Sequence, residues 1–255
     1  MDLGLTGRTY IITGASRGLG FATAEHLVHD GADVIVASRN QDAIDLAAAN
    51  LNEAGPGQAI GLATDLGDDE SADLLMAAAD EHFGRLDGVI ISVGGPPGAT
   101  ATAATDEQWR DAFDCVFLGA VRLARTALQH ATAPLSVTLV LSTSVRTPIA
   151  GLAISNGLRP GLAMVAKTLA DEWGPQGHRV NVVLPGRIET DRLTELESAA
   201  PDPVALRERS MASIPLRRYG QPEEFGAVVA FLASPMASYV SGSAITVDGG
   251  STRAL

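Results

Sequence analysis

The chain has few cysteines, few aromatic residues and a shortage of positive charge, and these shortages exclude several classes of protein. Cys115 is the only cysteine of the 255 residues, so an internal disulfide or a cysteine-based metal cluster is impossible. Lys and Arg number 18 against 30 Asp and Glu, a formal net charge of −12. Nucleic-acid binding is therefore not expected, because its affinity comes largely from cations on phosphates. No apolar run approaches the roughly 18 residues that span a bilayer, and the first strand begins too early for a leader peptide. We expect a soluble cytoplasmic protein.

The length and the alternation of patterns predict one α/β domain over residues 1–255. Hydrophobic residues make up 46% of the chain, enough for a sizeable core. Buried-type strand patterns alternate with helical patterns, which is typical of a doubly wound parallel sheet. The polar region from about 187 to 218 contains three prolines and no strand pattern, and it predicts a lid of short helices. Strands are predicted at 33–37, 88–91, 137–141, 179–184 and 244–247, and helices at 41–54, 71–83, 105–128, 155–173 and 222–232.

A glycine motif occupies the first strand-to-helix junction. It lies between the apolar run 10–12 and a helical pattern that starts at Phe21. Gly14 permits a tight turn, Gly18 lets the backbone approach a pyrophosphate, and Gly20 lets the helix pack on its strand. The alternative is an ordinary tight loop, but this position in the fold favours nucleotide binding. The residues predicted to bind cofactor here are Gly14, Ser16, Arg17, Gly18, Leu19 and Gly20.

The end of the second strand indicates which dinucleotide binds. An acid at this place holds the ribose 2′-OH of NAD, but the chain has Ser38 and Arg39 instead. Together with Arg17, Arg39 matches a 2′-phosphate, so NADP(H) is favoured over NAD(H). The alternative is that both arginines are merely solvated. At the next strand end, Asp65 is placed to accept from an adenine amino group or, equally well, to cap the following helix.

Two further segments carry local signals. The stiff run of small residues at 92–98, which includes Gly94, predicts a wall that ligand and backbone approach closely. Thr105 and Gln108 have the spacing of a capping box and open the long helix that continues to 128.

With these motifs, the chain resembles the short-chain dehydrogenase/reductase family over nearly its whole length, and within it the 3-oxoacyl-acyl-carrier-protein reductase-like proteins. The resemblance implies a seven-stranded parallel sheet, a nicotinamide cofactor across its carboxyl edge, a small-molecule substrate, and a homodimer or homotetramer. It also implies cofactor contacts from Leu66, Gly94, Pro185, Gly186, Ile188 and Thr190. The segments that carry it are 13–20, Asp65, Pro185-Gly186 with Thr190, 218–224 and 247–250.

The chain departs from this family where the chemistry takes place. The family uses a serine, a Tyr-x-x-x-Lys pair and an asparagine. Counting along the chain keeps the serine at Ser142 but puts Ser155 and Arg159 in the places of the tyrosine and lysine, and Val116 in that of the asparagine. A serine is a much poorer acid than a tyrosine, and an arginine does not relay a proton. We expect Ser142 and Ser155 to hydrogen-bond a substrate oxygen and Arg159 to stabilise negative charge.

No replacement acid is visible in the sequence, since no tyrosine or histidine is predicted beside Ser142. Pro160 adds a constraint: it disfavours helical geometry at Arg159 unless both lie in the first turn of a helix. A competing interpretation is that Ser155 only caps a helix. Three functions stay open at this point: an atypical NADP(H)-dependent oxidoreductase for a small carbonyl, imine or enone; a non-catalytic nucleotide-binding subunit of a mixed oligomer; and a non-redox isomerase or lyase.

Overall fold

Seven parallel strands form one sheet at the centre of the protein. The structure is a computed structural model and describes residues 2–198 and 200–253. The sheet order is β3-β2-β1-β4-β5-β6-β7, so the direction of winding reverses between β1 and β4. Such a reversal opens a crevice at the carboxyl edge of the sheet. The predicted α/β fold with seven parallel strands is confirmed. The strands are β1 Thr9–Thr13, β2 Asp33–Ser38, β3 Ala59–Ala63, β4 Gly88–Ser92, β5 Ser136–Val140, β6 Arg179–Pro185 and β7 Ala244–Val247.

Helices cover both faces of this sheet, which accounts for the continuous apolar runs of its inner strands. One core cluster joins the sheet to the helices at 71–83, 119–130 and 153–173, and the other joins it to the helices at 18–29, 41–54 and 222–233. The predicted lid region contains α7 and α8. Among the described residues, no helix is both long and apolar enough to cross a membrane. The helices are α1 Gly18–His29, α2 Gln41–Ala54, α3 Ser71–Phe83, α4 Asp106–Ala112, α5 Gly119–His130, α6 Ala153–Trp173, α7 Asp191–Ser198, α8 Pro203–Ser213 and α9 Pro222–Ala233.

The long helix predicted after Thr105 is interrupted by a π-helical turn. The capping box forms as predicted, but the turn Phe113–Leu118 separates α4 from α5. Within it, the rings of Phe113 and Phe117 stack with their centroids 5.2 Å apart. Val116 occupies the sequence position at which the resemblance predicts the family's asparagine. It lies in this turn and is buried. Single π turns are frequently found at functional sites, and this one borders α6.

Pro160 lies well inside α6, and the expectation that it would confine Arg159 to a first helical turn is wrong. The helix begins at Ala153 and continues through both residues to Trp173. The proline removes one N–H, and the carbonyl four residues earlier belongs to Asn156. The side chain of Asn156 ties the helix to the preceding loop through the N–H and carbonyl of Ile149, at 3.0 and 2.9 Å. Tertiary contacts of this kind outweigh local propensity.

His178, at the start of β6, should make stability depend on pH. It is buried, and its Nδ1 accepts from the Leu135 N–H at 3.1 Å. Burial lowers the pKa of His178 from its ordinary value of 6.5. Folding therefore favours the neutral ring, and this contribution is full above pH 6.5 and is lost as the pH falls toward the folded-state pKa. We expect the free energy of unfolding in urea to fall between pH 7.5 and 5.5, and to fall less in His178→Asn, which keeps an acceptor.

The matched control for His178 is His29→Asn, at an exposed histidine that ends α1. A pH dependence that is reduced in His178→Asn but not in His29→Asn would assign the effect to His178. The same slope in His178→Asn and in the wild type would show that His178 does not carry the effect.

Candidate functional site

The glycine motif forms the turn from β1 into α1 and has the shape of a phosphate cradle. Gly14 and Gly18 have φ angles of 61° and 62°. A Cβ on Gly14 would lie 2.5 Å from the Ser92 carbonyl oxygen, so only glycine brings this turn so close to the end of β4. Arg17 takes the N-cap position of α1 with an extended backbone and no side-chain cap, which leaves the first N–H groups of the helix for an anion. Ser16, Leu19 and Gly20 complete the turn.

Helix α7 lies across the crevice and forms ion pairs with Arg17. Arg17 Nη1 lies 3.0 Å from Asp191 Oδ2, and Nη2 lies 3.6 Å from Glu195 Oε1. On the other side, Arg192 Nη2 donates to the Pro96 carbonyl at 2.9 Å, in the predicted wall. The helix therefore joins the glycine turn to the wall. Arg17, which the sequence places with Arg39 at a 2′-phosphate, makes these contacts with α7.

On the adenosine side, Arg39 is exposed after β2. The neighbouring Ser38 hydroxyl donates to the Asn40 carbonyl at 3.4 Å. Asp65 Oδ1 accepts from the Gly67 N–H at 2.9 Å. Glu70, not Asp65, takes the N-cap position of α3, so the capping alternative for Asp65 is wrong.

Two other residues, Leu66 and Cys115, lie on this side of the site. Leu66 packs in the core, and its carbonyl accepts from Arg122 Nη1 at 3.2 Å. Cys115, which the sequence did not single out, is half-buried, and burial followed by the negative charge of Asp65 raises the pKa of its thiol. The positive charge of Arg39 acts on the pKa of that thiol in the opposite direction. A cysteine with a raised pKa is a poor nucleophile.

The predicted residues after β6 approach the glycine turn from the far end of the chain. The Gly186 N–H donates to the Val247 carbonyl at 2.9 Å, and Ile188 pairs with Gly220. Thr190 Oγ1 accepts from the Leu193 N–H at 3.3 Å and holds the first turn of α7. The Thr190 methyl would lie 3.6 Å from a Cβ placed on Gly18. Pro185 ends β6, while Gly94 lies exposed on the opposite wall.

The hydroxyl nearest Ser155 belongs to Ser144. Their Oγ atoms are 3.3 Å apart, and both residues are buried. Ser142 is linked to this pair through Ser144, because the Ser142 Oγ accepts from the Ser144 N–H at 3.1 Å. Ser155 is the third residue of α6, whose N-cap position belongs to Leu152, so Ser155 does not cap that helix. Sequence reasoning selected Ser142 and missed Ser144.

Arg159 fastens the carboxyl ends of β4 and β5 to each other. Its Nη1 donates to the carbonyls of Val140 and Leu141 at 3.1 and 2.9 Å, and its Nη2 to that of Val93 at 3.5 Å. The residue is 5% exposed, and burial alone lowers its pKa to about 10. It therefore remains a cation at neutral pH. Leu141 immediately precedes Ser142, so this charge lies directly behind the serines.

None of the three tyrosines of the chain takes the place of a proton donor beside these serines. Tyr10 donates to the Ala233 carbonyl at 3.4 Å. Tyr239 is fully exposed. Tyr219 is buried, and its hydroxyl donates to Glu197 Oε1 in the lid.

A buried ionic cluster organises the interior of the lid. The Glu197 carboxylate lies 3.2 Å from Arg187 Nη1 and 3.5 Å from Arg207 Nη1. The guanidinium carbons of these arginines lie 5.9 and 4.6 Å from the centre of the Tyr219 ring. Burial, followed by the hydrogen bond to Glu197, raises the pKa of Tyr219. Arg207 also pairs with Glu189. The cluster connects α7 and α8 to the loop after β6.

Comparisons with known proteins agree with this geometry. A family model described as enoyl-(acyl carrier protein) reductase matches residues 14–252. The human mitochondrial dehydrogenase/reductase SDR family member 2 is 35% identical over 98% of this chain and 88% of its own length. A probable 2,4-dienoyl-CoA reductase of Bacillus subtilis is 32% identical over 95% of this chain and 96% of its own. The crystal structure of L-sorbose reductase from Gluconobacter frateurii, complexed with NADPH and L-sorbose, superimposes with a TM-score of 0.93 at 30% identity over the whole of both chains.

Proposed function

The chain belongs to the short-chain dehydrogenase/reductase family, and its relatives are named dehydrogenases and reductases; we propose that it acts with NADP(H) on a small carbonyl, imine or enone substrate. The glycine turn carries this proposal: its positive φ angles and the uncapped start of α1 present backbone N–H groups where a pyrophosphate would bind. The NADPH complex of the sorbose reductase supports the choice of cofactor class.

The residues present fit a dinucleotide with a 2′-phosphate. Arg39 is exposed and has no carboxylate partner among the described residues, so it can meet that phosphate, and no carboxylate stands directly at the end of β2 to bond a ribose 2′-OH. Asp65 keeps a carboxylate oxygen, Oδ2, for an adenine amino group. At the other end, Pro185, Gly186, Ile188 and Thr190 would line the nicotinamide side. When bound, this group supplies or accepts a hydride.

The chain's own residues hold the substrate oxygen. The hydroxyls of Ser155 and Ser144, with Ser142 behind them, would donate to that oxygen, and the buried charge of Arg159 would stabilise negative charge on it. Serine hydroxyls and a charged guanidinium are poor proton donors at neutral pH. Substrates that need little acid help are therefore favoured: an activated carbonyl, an iminium ion or a conjugated double bond. The match to a family described as enoyl reductases supports the last of these.

Titration and turnover together test this function. We expect NADPH to bind the purified protein more tightly than NADH by calorimetry. We also expect NADPH absorbance to fall with an activated ketone, an iminium ion or an enone, and not with an unactivated ketone of similar size. Equal and weak binding of both nucleotides would overturn the cofactor assignment. Tight NADPH binding without oxidation by any substrate, or turnover that needs no nicotinamide, would overturn the oxidoreductase.

The proposal includes self-association as a homodimer or homotetramer in the cytoplasm. Phe113 and Leu118 of the π turn and Met164 of α6 are exposed apolar side chains, of the kind that a second copy of the chain would cover. Sedimentation at micromolar concentration measures this directly, and a monomer there would contradict it.

A further inference from the structure

Arg159 has no carboxylate partner among the described residues, and unlike the exposed Arg39 it is buried at the crevice. Its guanidinium forms no ion pair with the described residues, its hydrogen bonds go to backbone carbonyls, and burial lowers its pKa. In a chain of net charge −12, carboxylates are abundant elsewhere. The crevice arginines paired with carboxylates are Arg17, Arg187, Arg192 and Arg207.

The guanidinium of Arg159 also keeps unused donors. It has five N–H groups, of which two on Nη1 and one on Nη2 meet the carbonyls at the ends of β4 and β5. The Nε–H and the second Nη2–H have no acceptor within the described residues. The small exposed fraction of the residue shows that the group is not fully sealed.

A buried cation without a counter-ion is costly, because the charge has lost its hydration. Carbonyl dipoles offset part of this cost, and an anion would offset far more because attraction is strong where water is excluded. The hydroxyls of Ser144 and Ser155 add neutral donors close to the same strand ends. The Arg159 guanidinium and the two serine hydroxyls can all donate hydrogen bonds, and none of them is an acid.

We propose that Arg159, Ser144 and Ser155 form a carboxylate site, and that the substrate is a small carboxylic acid whose reacting carbon adjoins the carboxylate or is conjugated with it. The assignment of this anion to the substrate rests on the proposed function. The paired lid arginines Arg187, Arg192 and Arg207 do not serve this purpose, because glutamates already neutralise their charges.

The experiment compares propanoate with propanamide, which has a similar shape but no charge. In chloride-free buffer with saturating NADPH, we expect wild-type protein to bind propanoate at least tenfold more tightly than propanamide, by ligand-observed NMR or calorimetry. Arg159→Gln should remove this preference. Arg159→Lys, which keeps the charge, should retain part of it and covers the case in which the glutamine variant does not fold. Arg209→Gln, at an exposed arginine of α8, is the matched control and should behave as wild type.

Three results would overturn the carboxylate site. They are the absence of any preference for propanoate in the wild type, a preference that persists in Arg159→Gln, and loss of propanoate binding when NADPH is added, which would assign Arg159 to the cofactor. The affinity of the wild type for NADPH, measured in the same series, distinguishes failure of the carboxylate site from failure of the proposed function. If the protein binds and oxidises NADPH but binds propanoate and propanamide equally well, only the carboxylate site is contradicted.

Discussion

Replacing Arg39 with alanine should weaken NADPH binding roughly 10- to 100-fold and change NADH binding by no more than about twofold. A hydrogen bond to a charged group contributes about 1.5–3 kcal/mol, and each 1.4 kcal/mol is a factor of about ten in affinity. Arg39 is exposed and has no carboxylate partner among the described residues, so its charge is available to a 2′-phosphate. Calorimetric titration of both nucleotides against both proteins measures the difference.

Arg17→Ala is the matched control for Arg39→Ala. Arg17 already pairs with Asp191 and Glu195 on α7, so its loss should weaken NADPH binding less than the loss of Arg39. Raising the salt concentration should reduce the NADPH preference of the wild type and leave that of Arg39→Ala unchanged. Equal losses for NADPH and NADH in Arg39→Ala would show that this arginine does not bind the 2′-phosphate.

The regular parts of the fold could be predicted from the sequence, because each carries its own periodic signal. The helices 41–54 and 71–83 begin and end where their apolar spacing indicated, as does the last strand at 244–247. The start of α1 is different: the helical pattern begins at Phe21, but the helix begins at Gly18. Glycine is a weak helix former, so nothing local marks those first residues as helical, and packing of the turn against β4 decides.

The details of the site could not be predicted in the same way. Ser142 and Ser144 both follow β5, and which hydroxyl meets Ser155 depends on the geometry of the short turn between them. The acceptors of Arg159 are backbone carbonyls, which carry no residue-type signal. The π turn that holds Val116 likewise has no pattern that separates it from an α-helix.

The lid cluster had no sequence signal either, yet it should dominate the stability of that region. Glu197→Ala should lower the free energy of unfolding by about 3 kcal/mol, since breaking a buried ion pair typically costs 3–5 kcal/mol and the two arginines here are partly solvated. The Glu197 side chain is 8% exposed, against 37% for Arg187 and 40% for Arg207. Without the Glu197 carboxylate, Arg187 and Arg207 remain against the Tyr219 ring with their charges unneutralised, and the tyrosine hydroxyl loses its acceptor. Urea unfolding measures the cost, and hydrogen exchange should rise first in α7 and α8.

Two milder variants separate charge from packing in this lid cluster. Glu197→Gln keeps an acceptor for the Tyr219 hydroxyl but leaves Arg187 and Arg207 unneutralised, whereas Tyr219→Phe removes one hydroxyl and leaves the ion pairs intact. If the ionic contacts hold the lid, Glu197→Gln should approach the cost of the alanine variant, and Tyr219→Phe should cost only about 1–2 kcal/mol. A glutamine variant as stable as wild type would mean that packing and the hydroxyl bond hold α7 in place.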